Sequence, residues 1–455
     1  MTDKPPPTVA TLLEEAFALH RAGRLDEAEA LYERVRAVDA VNVDALTNLG
    51  TIYLQRGRYE RALETFEASL KRNRRQVNAL FNAGLALQGL RRYDDAIRTY
   101  RQAVALDPRH YSAHNNLGNA MKEIGEYDAA LASFAQALRF KPDHPSANWS
   151  VGAIHLLRGD FAAGLPLLEW RWKVAGIEDA TRRFTQPLWL GKEPLTSKAI
   201  LLHAEQGLGD TIQFCRYAKL AAEVGATVVL EVPASLVAFM RTLRHDVTVV
   251  AQGEALPPFD CHCPVMTLPL AFGTTLTTIP AAPAYLGVDE ARRAGWRDTL
   301  GPKSRPRVGL VWSGRPTHLK DHGRTIPLEA LRPLLAEPAE FHALQTEFRE
   351  TDRVTLLHSP QIKTWAHRLT DFAETAALAA EMDVVVSVDT SVAHLAAAIG
   401  RPTWILIPYS PDFRWLLERE DSPWYPTARL FRQPKRDDWP SAIEKVVGAL
   451  RALAT

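Results

Sequence analysis

A pattern returns every 34 residues from Val9 to about Trp172, five times in all. With units beginning at Val9, Val43, Val77, Tyr111 and Pro145, the eighth position reads Ala16, Gly50, Gly84, Gly118 and Gly152. The twentieth reads Ala28, Ala62, Ala96, Ala130 and Gly164, and the twenty-fourth supplies bulk in Tyr32, Phe66, Tyr100, Phe134 and Leu168. Two small columns and one large one in fixed register describe two helices per unit that cross closely, because a larger side chain would hold their backbones apart. Pro108 and Pro142 end the second helix of the third and fourth units, since proline cannot continue the ladder of amide bonds. Stacked units of this kind build a curved solenoid with a concave binding surface, a shape suited to holding a partner.

These columns resemble the tetratricopeptide family over residues 9–172. The sixth position carries Asn48, Asn82 and Asn116, flanked by Glu14 and Ser150 in the outer units. A carboxamide offers a donor and an acceptor together, which matches an extended peptide backbone whatever side chains the peptide bears. A similar asparagine ladder lines the superhelix of the O-GlcNAc transferases, and that resemblance implies a protein or peptide acceptor held by these three residues. Three solvated asparagines on a helical surface are the plainer reading.

At 455 residues the chain exceeds one core, and about 280 residues remain after the repeats for one further unit or a pair. Lys and Arg number 54 against 53 Asp and Glu, so no global field points to nucleic acid or to an anionic membrane. Short basic runs at 71–75 and at Arg91-Arg92 fall at repeat turns and read as solvated faces. Cys215, Cys261 and Cys263 form no disulfide framework, and a reducing, cytoplasmic setting fits them. Cys261-His262-Cys263 lacks the second ligand pair that zinc sites use, and it reads as strand before Pro264. The N-terminus has no apolar stretch of signal-peptide length, and no run of about 18 apolar residues exists to span a bilayer.

Residues 173–197, through Gln186-Pro187-Leu188-Trp189-Leu190, lack periodicity and read as a connector. Short apolar runs then alternate with helical stretches: 200–203, 228–232 and 247–250, then 308–312, 342–344, 384–388 and 404–407. Such runs are buried parallel strands with helices on both faces. A segment rich in proline and alanine separates the two groups. The expected organisation is an α-helical repeat solenoid, a connector, one Rossmann-like lobe at 198–290, a linker at 291–306 and a second lobe at 307–455, with ligand held where strands end.

Two motifs carry chemistry. Gln206-Gly207-Leu208-Gly209-Asp210-Thr211 follows the first strand and opens a helix; Gly207 and Gly209 let a ligand approach the backbone. Asp210 beside the helix start serves as an N-cap or, as an ionised carboxylate, accepts a proton from an attacking hydroxyl. In the second lobe, Ser387-Val388-Asp389-Thr390-Ser391-Val392-Ala393-His394 runs from strand into helix and presents hydroxyls and amides suited to a diphosphate. Opposite it stands Trp312-Ser313-Gly314-Arg315, followed by Lys320 and Arg324, cations that close over phosphates or form a solvated loop.

The Gly-Asp turn, the small-residue turn with its downstream cations, and Asp389-Thr390-Ser391-Val392-Ala393-His394 together resemble the ADP-heptose and related lipopolysaccharide transferases of glycosyltransferase family 9, over about residues 198–455. The resemblance implies a GT-B fold of two Rossmann-like lobes, with the nucleotide sugar held mainly by the second. It implies that Asp210 is the catalytic base and that Gly209 belongs to the same turn. Asp389, Thr390, Ser391 and His394 become diphosphate and nucleotide contacts, and Ser313 with Arg315, Lys320 or Arg324 meets the phosphates. Gln345, at the end of the next strand, is a candidate for the nucleobase or ribose edge.

Under this resemblance the expected activity is an inverting, metal-independent glycosyltransferase with no cofactor beyond its nucleotide-sugar donor and with a protein acceptor chosen by the repeats. No Asp-x-Asp metal signature occurs in the chain. Two other readings stand beside it: a scaffold whose transferase-like lobes do not turn over, and a lipopolysaccharide-type sugar transferase whose repeats dock an assembly partner.

Overall fold

A computed structural model of the chain describes residues 7–174, 184–243, 246–316 and 321–454. It divides into two compact units, Met1–Val151 and Gly152–Thr455.

The first unit is built from antiparallel helix pairs: α1 (Val9–Arg21) with α2 (Leu25–Val38), α3 (Val43–Gln55) with α4 (Tyr59–Arg72), α5 (Val77–Gly89) with α6 (Tyr93–Leu106), and α7 (Tyr111–Glu123) with α8 (Tyr127–Phe140). Its last residues begin α9 (Pro145–Leu157). Side chains of Thr8, Asn42 and His110 accept from the amides of Thr11, Ala45 and Ala113 and so fix where α1, α3 and α7 begin. The eighth-position glycines seat the twenty-fourth-position rings. A Cβ on Gly50 would lie 2.6 Å from Cε1 of Phe66, one on Gly118 would lie 2.8 Å from Cε1 of Phe134, and Gly84 faces Tyr100 in the same way. The small column therefore receives a ring as well as permitting a helix crossing. Another column lies at the turn between paired helices, where Gly23, Gly57 and Gly125 take φ of 74°, 68° and 79° and Arg91 occupies the equivalent place at φ 60°.

The second unit opens with the rest of α9 and with α10 (Phe161–Leu168), in which Gly152 and Gly164 lie close together as the repeat register requires. Pro166 shortens α10, and a 3-10 turn over Glu169–Lys173 follows. Two parallel sheets come next. The first, ordered β3-β2-β1-β4, contains β1 (Ala199–His203), β2 (Thr227–Val232), β3 (Val247–Ala251) and β4 (Cys261–Pro264). The second, ordered β10-β9-β8-β5-β6-β7, contains β5 (Arg307–Val311), β6 (Glu340–Ala343), β7 (Ile362–Thr364), β8 (Val384–Val388), β9 (Thr403–Ile407) and β10 (Ala428–Arg432). Every pairing between named strands is parallel, and β5 and β8 are buried along their whole length under flanking helices. The second core gathers Val308, Leu310, Trp312, Val384, Val386 and Val388 with Ile443 and Val446 of the last helix, Trp439–Ala454.

Two expected stretches differ. The connector joins the first sheet, for Leu188 bridges His262 in parallel and the Trp189 amide donates to the His262 carbonyl at 2.8 Å. The linker at 291–306 contains most of a helix, Glu290–Leu300. Trp296 and Leu300 are buried while the other positions are largely polar, so too few apolar residues recur to show the helical period. Tertiary bonds fasten it: the Trp296 indole donates to Glu374 at 2.8 Å, and Arg292 pairs with Asp371.

Candidate active site

In both sheets the order of strands reverses at one place, between β1 and β4 and again between β5 and β8. Crevices open at such switch points beyond the strand C-termini. The sequence motifs follow β1, β5 and β8 at these ends.

Beyond β1 the chain turns through Gln206, held at φ 53°, into α11 (Leu208–Phe214), which is followed by α12 (Arg216–Glu223). Asp210 lies in the first turn of α11, and its Oδ2 accepts the Gly207 amide at 2.8 Å, closing the loop on itself. Gly209 is demanded by packing. A Cβ there would lie 2.8 Å from Cδ2 of His394 and 3.5 Å from Cα of Ser391, so only glycine lets α11 cross the helix Ser391–Ala398 this closely. The two motifs, about 180 residues apart in sequence, thus meet.

At the end of β8, Thr390 stands at the N-cap and Ser391 begins the helix; the Thr390 hydroxyl lies 3.0 Å from that of Ser387. Arg324 bridges the two turns of the second lobe. Its Nη1 donates to the Asp389 carbonyl at 2.9 Å, and its guanidinium covers Gly314, where a Cβ would approach Nη2 to 2.6 Å. Arg324 Nε is buried and finds no partner among the described residues.

His394 is buried, stacked on Trp415 at 5.4 Å between ring centroids, and its Nδ1 lies 2.8 Å from the Tyr425 hydroxyl. Burial, aided by the nearby charge of Arg414, pushes its pKa down to about 3, so the ring is neutral at pH 7. Its Nε2 stands 3.8 Å from Asp389 Oδ1. Burial, then the neighbouring Asp412 carboxylate, raises the pKa of Asp389, against the opposing influence of Trp415, Arg324 and Arg414.

Sequence reasoning missed Asp412 and Arg414 in the loop after β9, where Asp412 caps the 3-10 turn Phe413–Trp415 and Arg414 lies within it. Arg414 is only 7 % exposed; its Nη2 pairs with Asp210 Oδ1 and its Nη1 with Asp412 Oδ1 at 2.8 Å. Burial works against its charge, but Asp412, Asp210 and Asp389 outweigh that and raise its pKa. Leu416, which ends that 3-10 turn, sits at φ 53°, backbone strain that a packed site sustains. The available signal was position, because this loop leaves the C-terminal end of a buried parallel strand.

Other expected contacts are placed differently. Gln345 does not offer its amide to a nucleobase: Oε1 accepts the Trp312 and Ser313 amides at 3.0 and 3.4 Å, and Nε2 donates to the Ser313 hydroxyl and the Glu347 carbonyl at 3.0 and 2.9 Å. All its polar capacity shapes the turn after β5, and Ser313 is buried by the same bonds. Arg315 is exposed, Lys320 lies outside the described residues, and Arg324 is the downstream cation that reaches the turns.

Within the first unit, Asn48, Asn82 and Asn116 are all half-buried. The Asn48 amide folds back onto the Asp44 carbonyl at 2.8 Å, while Asn82 donates to Thr51 of the preceding repeat at 3.4 Å. Ser150 repeats the second contact with Asn119 at 3.2 Å. The sixth position therefore also links neighbouring repeats. No helix among the described residues is long and apolar enough to cross a membrane.

Tetratricopeptide-repeat models match residues 13–77 and 87–152, and a model of glycosyltransferase family 9 (heptosyltransferase) matches residues 362–426. The latter span includes the Asp389 turn, His394 and Arg414 and leaves out Asp210 and Arg324. Protein FlbA of Caulobacter vibrioides is 27 % identical over 329 residues, covering 66 % of this chain and 54 % of that protein. The chain thus spans about half the length of this curated relative. Among solved structures, a crystal structure of MamA is similar at 23 % identity, covering 34 % of this chain and 91 % of its own, with a TM-score of 0.33. The crystal structure of YrrB, a TPR protein with an unusual peptide-binding site, is similar at 21 % identity over 37 % of this chain and 87 % of its own, with a TM-score of 0.34. The repeat helices and their matches give a tetratricopeptide array, and the α/β domain that follows is similar to glycosyltransferase family 9 over residues 362–426.

Proposed function

We propose that the chain is an inverting glycosyltransferase that moves a sugar from a nucleoside diphosphate to a hydroxyl of a polypeptide held by the repeats. One observation carries this reading: Gly209 packs directly on His394 and Ser391, which brings a potential base, Asp210, to the diphosphate-type turn at Asp389. Arg324 binds that turn from the other side with an N–H still unused.

The chemistry needs few parts. Asp210 takes the proton of the acceptor hydroxyl as its oxygen attacks the anomeric carbon from the face opposite the leaving group. The bond from that carbon to the diphosphate oxygen breaks, and its electrons stay on the diphosphate. Amides at the start of the helix Ser391–Ala398 and the Arg324 guanidinium oppose the charge that develops there, so the reading requires no metal ion. Neutral His394 adds no positive charge; it holds Tyr425 and Trp415 behind the turn.

A thermal-shift screen with UDP, GDP, ADP and CDP and their sugars tests the reading. Stabilisation by one nucleotide and consumption of its sugar are the expected results. A chain that no nucleotide stabilises is not this enzyme. The pairing of Asp210 with Arg414 favours a second reading, in which the lobes bind a nucleotide sugar without turning it over. Stabilisation without consumption, even with cell lysate as acceptor, would select that one.

A further inference from the structure

Arg414 lies among three carboxylates, those of Asp210, Asp412 and Asp389. Arg414 holds Oδ1 of Asp210 and the Gly207 amide holds Oδ2, so both oxygens of that carboxylate are engaged. In this state Asp210 is thus occupied away from the role that its position suits. We propose that Arg414 is an exchangeable counter-ion, paired with Asp210 while the donor site is empty and transferred to the donor's diphosphate when the site fills, so that Asp210 is released as a base only in the loaded enzyme. The proposal rests on the glycosyltransferase reading above and adds to it an order of events, donor before proton removal.

Three features support the exchange. The Arg414 fork is divided between Asp210 and Asp412, so release from Asp210 leaves the bond to Asp412 as a pivot. Its Nε is buried without a partner among the described residues, leaving a donor for a phosphate oxygen. The planar fork matches phosphate geometry, and the rings of Phe413 and Phe214, with centroids 4.6 and 5.5 Å from Arg414 Cζ, lie against the guanidinium itself. Asp210 stays in place when Arg414 leaves, since the Gly207 amide still holds Oδ2.

In the loaded enzyme the acceptor proton passes to Asp210, the acceptor oxygen bonds to the anomeric carbon, and the bond to the diphosphate breaks with its electron pair on the oxygen that Arg414 faces. One movement would then free the base and stabilise the leaving group. Asp210 meets Arg414, Asp412 shares that guanidinium, Asp389 and His394 stand on the facing turn and helix, and the Tyr285 hydroxyl bonds α11 at the Ile212 carbonyl.

Calorimetric titration with UDP, GDP, ADP and inorganic pyrophosphate at about pH 7.5 tests this. Arg414→Met should bind the nucleotide that the wild type binds about 10-fold or more weakly. Asp210→Asn, which frees Arg414 from competition, should bind it more tightly than the wild type, and Arg414→Lys should fall between Arg414→Met and the wild type. In the double variant the gain from Asp210→Asn should vanish, because no guanidinium is left to release. Equal affinity in Arg414→Met, or the same gain from Asp210→Asn with and without Arg414, overturns the exchange while the nucleotide reading stands. Absence of binding by the wild type to every probe removes the nucleotide reading, and the exchange with it.

Discussion

Arg171 grips Glu205 through two parallel bonds, Nε to Oε2 and Nη2 to Oε1, each 2.8 Å. Arg171 follows the last repeat-type helix and Glu205 precedes Gly207, so the pair ties the residues after α10 to the loop that presents Asp210. Further bonds from Arg171 to Glu169 and Thr267, and from the Met266 amide to Glu205, leave little polar capacity unused. Replacing Arg171 with Met should destabilise the chain by about 3–5 kcal/mol, because Glu205 stays buried without its counter-ion. Chemical denaturation measures this, and the double variant Arg171→Met with Glu205→Met should recover part of the loss. Additive losses would show that the two residues act independently.

Asp210→Asn should lower turnover by about 100-fold or more without weakening nucleotide binding, since the amide keeps the shape of the turn but cannot accept a proton. Steady-state rates with parallel titrations decide it. Turnover comparable to the wild type would take the base role from Asp210.

Gln345→Ala should cost about 2–5 kcal/mol, as the buried amides of Trp312 and Ser313 both lose their acceptor. Urea unfolding measures the loss. A nucleobase contact predicts the opposite pattern, weaker nucleotide binding with stability unchanged.

Acid should destabilise the fold through His394. Its folded pKa of about 3 lies below its ordinary value near 6.5, so between those values the unfolded chain binds a proton that the folded chain refuses. Stability is therefore full above about pH 6.5 and falls as pH drops toward 3, by at most about 5 kcal/mol over the window. His342, pushed down to about 4 chiefly by burial, acts in the same direction. The fall in Tm between pH 6.5 and 4.5 should be shallower in His394→Gln than in the wild type when followed by calorimetry. Identical slopes would remove His394 as a source of acid sensitivity.

Asn82→Ala combined with Asn116→Ala should weaken polypeptide capture by about 10-fold, at about 1–1.5 kcal/mol for the lost bonds, and leave nucleotide affinity unchanged. Pull-down of glycosylated products and titration with nucleotide separate the two effects. Unaltered capture would leave position six with only its contacts between repeats.

The repeat array is written into the sequence because each unit repeats local demands. A small residue at position eight must receive a ring, a left-handed residue must turn the chain, and an alanine must let the helices cross, all within one 34-residue window. The strands of the two sheets were legible for a similar reason, as burial on both faces makes β5 and β8 continuous apolar runs. The helix Glu290–Leu300 was not, for Trp296 reaches its core only through a fold-dependent bond to Glu374. Gly209 and His394 each stood out in sequence, but only the crossing of α11 with the helix Ser391–Ala398 made them neighbours. Arg414 has no motif of its own, and Gln345 is committed by four bonds that only the fold supplies. Local sequence determined which turns would form at strand ends; long-range packing decided which charges faced one another there, because electrostatic partners depend on distance in space and not on separation along the chain.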